Sequence, residues 1–305
     1  MDKKFSSPKG FGEILDHTFH LTKNRFKDLF MILLIFMGPV YLLQAILQLM
    51  AGTSFFREVG SDGAWFEQIL TSFEESGTFD SSSLSADIGL IVVGLISAIL
   101  APVAEAAILF TINHVRKNEA YTVGSVIKQA FTRFWPMIGS SILFFLITMG
   151  IIIIPLAIVG VTGGVVATTV NPVLGILLGV VLFLGFALGI GLLLTRWSFY
   201  FGSVVLDKDS PGFGRSWRLS RKRTWVLMGL YIVFYFIISS ISFGVQVTFG
   251  MVLGNSVLLT LISNLVTLVT TMIFSVGYGV MYLDLKTRHD ADDIKEMLED
   301  YKTVQ

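Results

Sequence analysis

Six long apolar runs constrain the fold of this chain more than any other feature. They cover about residues 28–50, 88–112, 136–160, 173–195, 225–252 and 256–282. A hydrocarbon core about 30 Å thick requires roughly 20 apolar residues per spanning helix, and each run is long enough. The apolar residues are continuous rather than alternating, which favours helices over the strands of a membrane barrel. The runs therefore predict an all-α polytopic membrane protein with six transmembrane helices.

The composition agrees with this prediction. Only 14% of the 305 residues are charged and 53% are hydrophobic, whereas soluble domains carry about 25% charged residues. The chain has no cysteine, which excludes disulfide and thiolate chemistry. The first apolar run follows a charged segment and is too long for the core of a signal peptide, so we expect it to be a retained span.

Basic residues are concentrated in alternate polar segments. Six Lys and Arg residues precede the first apolar run, four lie in 113–135, seven in 196–224 and four after the last run. Arg57 is the single basic residue of the other polar segments, which are 51–87, 161–172 and 253–255. Because short cytoplasmic loops carry the excess of Lys and Arg, this distribution of 21 against 1 predicts that both termini are cytoplasmic. We expect a multi-pass protein of the bacterial cell membrane.

Three basic segments resemble one another. They read "GFGEILDHTFHLTKNRFKDLFMILL" from residue 10, "TVGSVIKQAFTRFWPMIGSSILFF" from 122 and "GFGRSWRLSRKRTWVLMGLYIVF" from 212. Each begins near a glycine, which we interpret as a turn, passes through an amphipathic stretch and enters an apolar run without a break. We predict three hairpins, each with an interfacial lead-in helix, in repeat units 10–112, 122–195 and 212–284. The alternative is that amphipathic flanks are common to multi-span proteins in general.

The other polar segments are predicted to lie outside the membrane. Segment 51–87 is acidic and is expected to be an extracytoplasmic loop. Segment 285–305 is expected to be a cytoplasmic amphipathic tail, which docks either on the protein itself or on a partner. The chain as a whole is predicted to form a single transmembrane domain.

Glu105 and Arg196 are the candidate substrate-binding residues. A carboxylate within a span costs roughly 2.5–3.5 kcal/mol, so such residues usually face the bundle interior or a wet cavity. One interpretation is that Glu105 and Arg196 line a polar cavity, where Glu105 holds a proton or a cation. The other is that they form a structural ion pair. The sequence leaves both open.

A second set of residues is predicted to contact lipid headgroups. These residues are basic or tryptophan side chains next to the spans, and basic residues there contribute roughly 1 kcal/mol each near anionic lipid. They are Lys128, Arg133, Trp135, Arg215, Trp217, Arg218, Arg221, Lys222, Arg223 and Trp225. The alternative is that their charges serve only to orient the protein in the membrane.

Enzymatic motifs are missing from the sequence. It has no P-loop, no HExxH and no GxSxG, so we predict a protein without enzymatic activity and without a cofactor. His17 and His20 share a helical face, but we predict no metal site there. Membrane lipids are the expected partners and nucleic acid is not. A protein partner or a homo-oligomer is left open.

Three stretches together resemble a known family. They read "ILAPVAEAAILFTINHVRKNEAYTVGSVIKQAF", "LLTRWSFYFGSVVLDKDSPGFGRSWRLSRKRTW" and "YGVMYLDLKTRHDADDIKEML". The second joins an Arg-Trp span end to an amphipathic Ser-x-x-Leu helix, and the third contains a Tyr-x-Asp-Leu-x-x-Arg exit. They are similar to the membrane domain of some bacterial glycerophosphoryl diester phosphodiesterases. That membrane domain also occurs alone, without the phosphodiesterase domain. The family's chemistry belongs to a separate domain with a His-Arg-Gly motif, so the resemblance implies no catalytic residue here.

Two functional hypotheses follow. The first is a non-enzymatic membrane protein that binds or transports a lipid or another amphiphile, using the basic lead-in helices and a polar cavity. The alternative is a scaffold or regulator that recruits partner proteins at the cytoplasmic face.

Overall fold

The computed structural model describes residues 8–56, 84–254 and 256–303. Within these ranges the chain forms ten α-helices and no strand. In chain order the helices are α1 (Phe11–Asn24), α2 (Phe26–Met50), α3 (Leu84–Lys117), α4 (Val123–Phe131), α5 (Phe134–Thr169), α6 (Pro172–Trp197), α7 (Tyr200–Leu206), α8 (Phe213–Ser220), α9 (Thr224–Leu253) and α10 (Val257–Thr303). The predicted all-α class is confirmed.

Within the described ranges, six segments are long and apolar enough to cross a membrane. They are Phe26–Met50, Ile88–Lys117, Phe134–Thr169, Pro172–Leu206, Thr224–Leu253 and Val257–His289, and they match the six predicted runs to within one residue or extend beyond them. The helices extend past the apolar runs because the flanking residues continue the helical backbone. In α5 this gives 36 residues, or about 54 Å of helix, which exceeds the thickness of the hydrocarbon core.

Three short helices precede three of the spans. α1 leads into α2, α4 into α5 and α8 into α9, and in each case an arginine stands just before the span. Arg25, Arg133 and Arg223 have φ angles of −117°, −109° and −134° and ψ angles of 21°, 11° and 17°. The chain therefore changes direction through nearly the same backbone conformation at all three places. The end of the molecule that carries these breaks is called the basic end below.

The predicted glycine turns are present at one of the three lead-in helices. Gly212 begins α8 with a φ of 79°, and a Cβ there would lie 2.6 Å from the Tyr200 carbonyl oxygen, so only glycine fits. Gly10 begins α1 in an extended conformation that any residue adopts. At α4 the prediction was wrong, because Thr122 caps the helix by accepting a hydrogen bond from the Ser125 backbone N–H.

The tightly packed core lies among α2, α3 and α10. Its fully buried side chains include Ile32, Leu33, Ile108, Ile112, Met272 and Tyr282. The lead-in helix α1 covers this core with Ile14, and α4 covers it with Val126 and Ala130. These two helices thus close the core at the basic end.

The hairpin of α5 and α6 packs mainly against itself. In these two helices the buried residues are Met137, Ser140, Gly175 and Thr195. A Cβ on Gly175 would lie 2.5 Å from the Ala167 backbone nitrogen, so the two helices touch along their backbones. Small residues allow such close approach between membrane helices. Most other side chains of the hairpin are exposed and are available to lipid.

The Asp284 cluster joins three parts of the basic end. The buried Asp284 carboxylate of α10 accepts hydrogen bonds from the Lys9 backbone N–H at 2.7 Å, from Arg223 at 3.2 Å and from Arg288 at 2.9 Å. Both arginines also donate to the Lys9 carbonyl oxygen. Burial, with a further contribution from Arg288, lowers the pKa of Arg223. The cluster fixes the residues before α1 and the break before α9 to α10, near the end of its apolar segment.

The Asp207 cluster lies beside it. Asp207 follows α7 and pairs with the Arg215 Nε at 2.7 Å, and it also accepts from Tyr282 and Lys286. Burial acts to lower the pKa of Arg215, but Asp207, Tyr282 and Asp209 together more than offset it and the pKa is raised. The cluster ties α7 and α8 to α10.

Two predicted segments are only partly described. Residues 57–83 of the predicted outer loop 51–87 lie outside the described residues. The predicted tail 285–305 begins inside α10, whose backbone continues without a break to Thr303. The side chains from residue 290 onward also lie outside the described residues.

Candidate functional site: a basic pocket and an interior cavity

A basic pocket of about 500 Å³ lies between the end of α6 and the break before α9. One end is lined by charged and aromatic side chains and the other by small and apolar ones. The lining residues are Gly189, Leu192, Leu193, Arg196, Trp217, Arg221, Lys222, Arg223, Thr224, Trp225 and Val226. The pocket therefore brings together six of the residues that the sequence analysis singled out.

Arg196 is held in one orientation within the basic pocket. Its guanidinium carbon lies 4.5 Å from the centroid of the Trp217 ring, and its Nε donates to the Thr224 hydroxyl at 3.1 Å. The Arg196 backbone carbonyl accepts from Ser216 at 2.6 Å, which positions α8 against the end of α6. Among the described residues no acceptor pairs with the two terminal nitrogens of Arg196. The terminal nitrogens of this lining residue are thus left available as donors for a ligand.

The other cations of the basic pocket differ in how they are held. Arg223 belongs to the Asp284 cluster, and its side chain is 21% exposed. Arg221 and Lys222 are exposed in the three-residue break before α9. Trp225 is exposed at the start of α9, as expected of a tryptophan at a membrane interface.

The remaining predicted headgroup residues lie outside the basic pocket. Arg215 is engaged in the Asp207 cluster, so its main contact is internal rather than with lipid. Arg218, Lys128 and Trp135 are exposed elsewhere on the basic end, and Arg133 is half-buried at the break before α5. The structure therefore groups only part of the predicted set into one site.

An interior cavity of about 310 Å³ surrounds Glu105. It is lined by residues of α3, α5, α7, α9 and α10 and by the junction after α6. The lining residues are Pro102, Glu105, Leu109, Ser141, Phe144, Ser198, Tyr200, Phe201, Tyr231, Phe274, Ser275 and Tyr278. Glu105 precedes Lys117, the last residue of α3, by 12 residues, which places it about 18 Å along the helix from that end. The cavity thus lies within the spans.

Glu105 and Arg196 are not brought together. Arg196 lines the basic pocket and Glu105 the interior cavity, and among the described residues no ion pair joins them. Glu105 does line a cavity, as one interpretation held, but Arg196 does not share that cavity and the predicted ion pair between the two is wrong. The physical reason is that the Arg196 side chain is stacked on Trp217, and both residues line the basic pocket rather than the interior cavity.

Sequence analysis missed the tyrosines and serines of the interior cavity. Tyr231 and Tyr278 are polar groups inside apolar runs, and this was a usable signal. It missed Asp207 as well, because an aspartate in a polar loop gives no sign that it will be buried.

Comparison with known proteins adds no assignment to either cavity. No family model matches the chain, and no curated protein or solved structure matches it.

Proposed function

We propose that this chain is a non-enzymatic protein of the bacterial cell membrane that binds an anionic amphiphile in the basic pocket. The headgroup lies against Arg196, Arg221 and Lys222, and the apolar chain follows Leu192 and Leu193 of α6. The observation that carries the proposal is the fixed guanidinium of Arg196, whose two terminal nitrogens face a pocket that is basic at one end and apolar at the other.

The chemistry of the headgroup follows from that geometry. A guanidinium that presents two parallel N–H donors matches the paired oxygens of a phosphate or a carboxylate. The neighbouring cations then add an unselective electrostatic attraction to anionic lipid, which is worth roughly 1 kcal/mol for each cation near a membrane surface. A phosphate on an acyl chain satisfies both ends of the pocket, so an anionic phospholipid is the favoured ligand class.

The orientation of the protein is part of the proposal. We infer that the basic end faces the cytoplasm, because it gathers the described parts of the four segments that the sequence analysis found to be rich in Lys and Arg. The three arginine breaks with similar backbone angles support three copies of one unit, consisting of a lead-in helix and a hairpin. The resemblance to the phosphodiesterase membrane domain stays a prediction.

Lipid titration of the purified chain tests the binding site. The chain in dodecyl maltoside is titrated with phosphatidylglycerol or with phosphatidylcholine, and bound lipid is counted by native mass spectrometry. We expect the anionic lipid to bind more tightly. The double substitution Arg196→Gln and Arg221→Gln is expected to weaken that binding by about 2 kcal/mol, or roughly thirtyfold, because two headgroup charges are removed.

A matched double variant separates a site from a diffuse charge effect. Lys23→Gln with Lys128→Gln also removes two charges, both exposed on lead-in helices outside the pocket, and it should retain tight binding. Equal losses in the two doubles, or equal affinities for the two lipids, would contradict the proposal. An acidic protein that co-purifies in stoichiometric amount, and that is lost when Arg196 is substituted, would instead favour the scaffold alternative.

A further inference from the structure

The interior cavity contains a carboxyl group that the protein does not satisfy. Among the described residues no side chain or backbone group donates a hydrogen bond to Glu105, and no Lys, Arg or His pairs with it. An unpaired carboxylate within a span is costly, so it requires either a proton or a cationic partner that the protein itself does not provide. The need for a proton or a cationic partner at Glu105 is independent of the basic pocket and of the function proposed for that pocket.

The three tyrosine hydroxyls of the cavity donate elsewhere. Tyr200 donates to the Ser141 hydroxyl at 3.2 Å, Tyr231 to the Ser198 hydroxyl at 2.9 Å and Tyr278 to the Ser198 carbonyl oxygen at 3.1 Å. Each phenol has a single proton, so none of these hydroxyls can also donate to Glu105. The tyrosines therefore contribute ring surface to the cavity rather than donors for the carboxyl group.

Ser275 marks a second unsatisfied polar group in the same cavity. The residue is 4% exposed, its Oγ is buried, and among the described residues that oxygen has no hydrogen-bond partner. Buried hydroxyls are normally paired, so this one indicates a missing ligand atom. Ser275 and Glu105 lie on different helices, α10 and α3, and both line the cavity.

Aromatic rings form much of the remaining wall. Phe144 stacks on Tyr200 with centroids 4.6 Å apart, and Phe274 lies 6.1 Å from Tyr231. The faces of such rings attract cations, and this attraction grows when water is excluded. A metal ion fits this wall poorly, because among the described residues no group of three His, Asp or Glu side chains comes together.

We propose that the interior cavity binds an organic ammonium group carried on an apolar body, with Glu105 as its counter-charge. The ammonium donates to the carboxylate, Ser275 forms part of the adjoining wall, and the apolar body contacts Phe144, Tyr200 and Phe274. A carboxylate, an unpaired hydroxyl and ring faces in one apolar cavity together match a donor cation better than an anion or a neutral hydrocarbon. An aminolipid headgroup and a small lipophilic amine share this chemistry.

A fluorinated probe tests the ammonium site. The full chain in dodecyl maltoside is titrated with 4-fluorobenzylamine and, as an uncharged control of similar shape, with 4-fluorobenzyl alcohol, and binding is followed by ¹⁹F NMR. We expect saturable binding of the amine but not of the alcohol. Glu105→Gln should weaken amine binding by about tenfold to a hundredfold, because a hydrogen bond between charged groups is lost.

Two controls keep the proposal falsifiable. Lys128→Gln, which lies outside both cavities, should bind the amine as the unmodified chain does. Should Glu105→Gln fail to fold, the melting temperature of the unmodified chain is compared with amine and with alcohol, and equal shifts overturn the proposal. Amine binding that survives Glu105→Gln in a folded protein overturns it as well.

The source of the ammonium is distinguished in the same preparation. Displacement of 4-fluorobenzylamine by added phosphatidylethanolamine supports the site and assigns it to a lipid headgroup, whereas no displacement supports the site and assigns it to a small amine. Phosphatidylglycerol binding is measured separately on each variant. Because the two ligands report on different cavities, failure of the ammonium site and failure of the proposed lipid site give different results.

Discussion

The core of α2, α3 and α10 and the hairpin of α5 and α6 are both apolar enough to cross a membrane, yet they are held together differently. The core buries large side chains such as Leu33 and Tyr282, and two aspartate clusters fix its basic end. The hairpin buries few side chains and relies on backbone contact at Gly175. The hairpin is the more apolar of the two regions and also the less buried one, so here the higher mean hydropathy accompanies the helices that pack least against protein.

The largest loss of stability is expected at the Asp284 cluster, which fixes the basic end of the core. Asp284→Asn removes the buried charge that three donors share, and we expect it to lower the free energy of unfolding by about 4 kcal/mol, because Arg223 and Arg288 are left without a counter-charge. The measurement is an SDS titration of the chain in mixed micelles. Glu119→Gln is the control, because Glu119 is 47% exposed in its pair with Lys117 and should contribute less than about 1 kcal/mol. Similar losses in both variants would show that burial does not strengthen the cluster.

The second prediction compares the loss of stability caused by a Leu→Ala substitution in the core and in the hairpin. Leu33 is 1% exposed in the core and Leu184 is 62% exposed in the hairpin. Leu33→Ala should cost about 3 kcal/mol, since it leaves a cavity, while Leu184→Ala should cost less than about 0.5 kcal/mol. Unfolding in mixed micelles measures both. A Leu184→Ala loss as large as that of Leu33→Ala would mean that another protein surface, rather than lipid, covers the hairpin.

The third prediction, with a smaller loss of stability than those at Asp284 and Leu33, concerns the backbone contact within the hairpin. Gly175→Ala places a Cβ 2.5 Å from Ala167, so the helices must separate, and we expect a cost of about 1–2 kcal/mol. Gly185→Ala on the same helix meets no atom within 4 Å and serves as the matched control. Disulfide crosslinking between Cys substitutions at 163 and 179 would report the separation. Unchanged crosslinking in Gly175→Ala would contradict the backbone contact.

The sequence predicted the parts of this fold that depend on chain-local properties. Each span was predictable because length and hydropathy are read along one helix, and the lead-in helices were predictable from their amphipathic pattern. The positions of Glu105 and Arg196 were not, because their separation depends on how α3 and α6 are rotated and on the stacking of Arg196 on Trp217. Nor could the sequence show that Asp284 accepts from Lys9, because that contact joins segments 275 residues apart.

The contact between Lys9 and Asp284 has a consequence for biosynthesis. A ribosome makes the chain in order, so the segment before α1 is complete 275 residues before its partner on α10 exists. Throughout that interval the Lys9 amide must remain with water or with another acceptor. The membrane can receive the hairpins one after another, but the final tertiary arrangement forms only when the last span arrives and captures the first part of the chain.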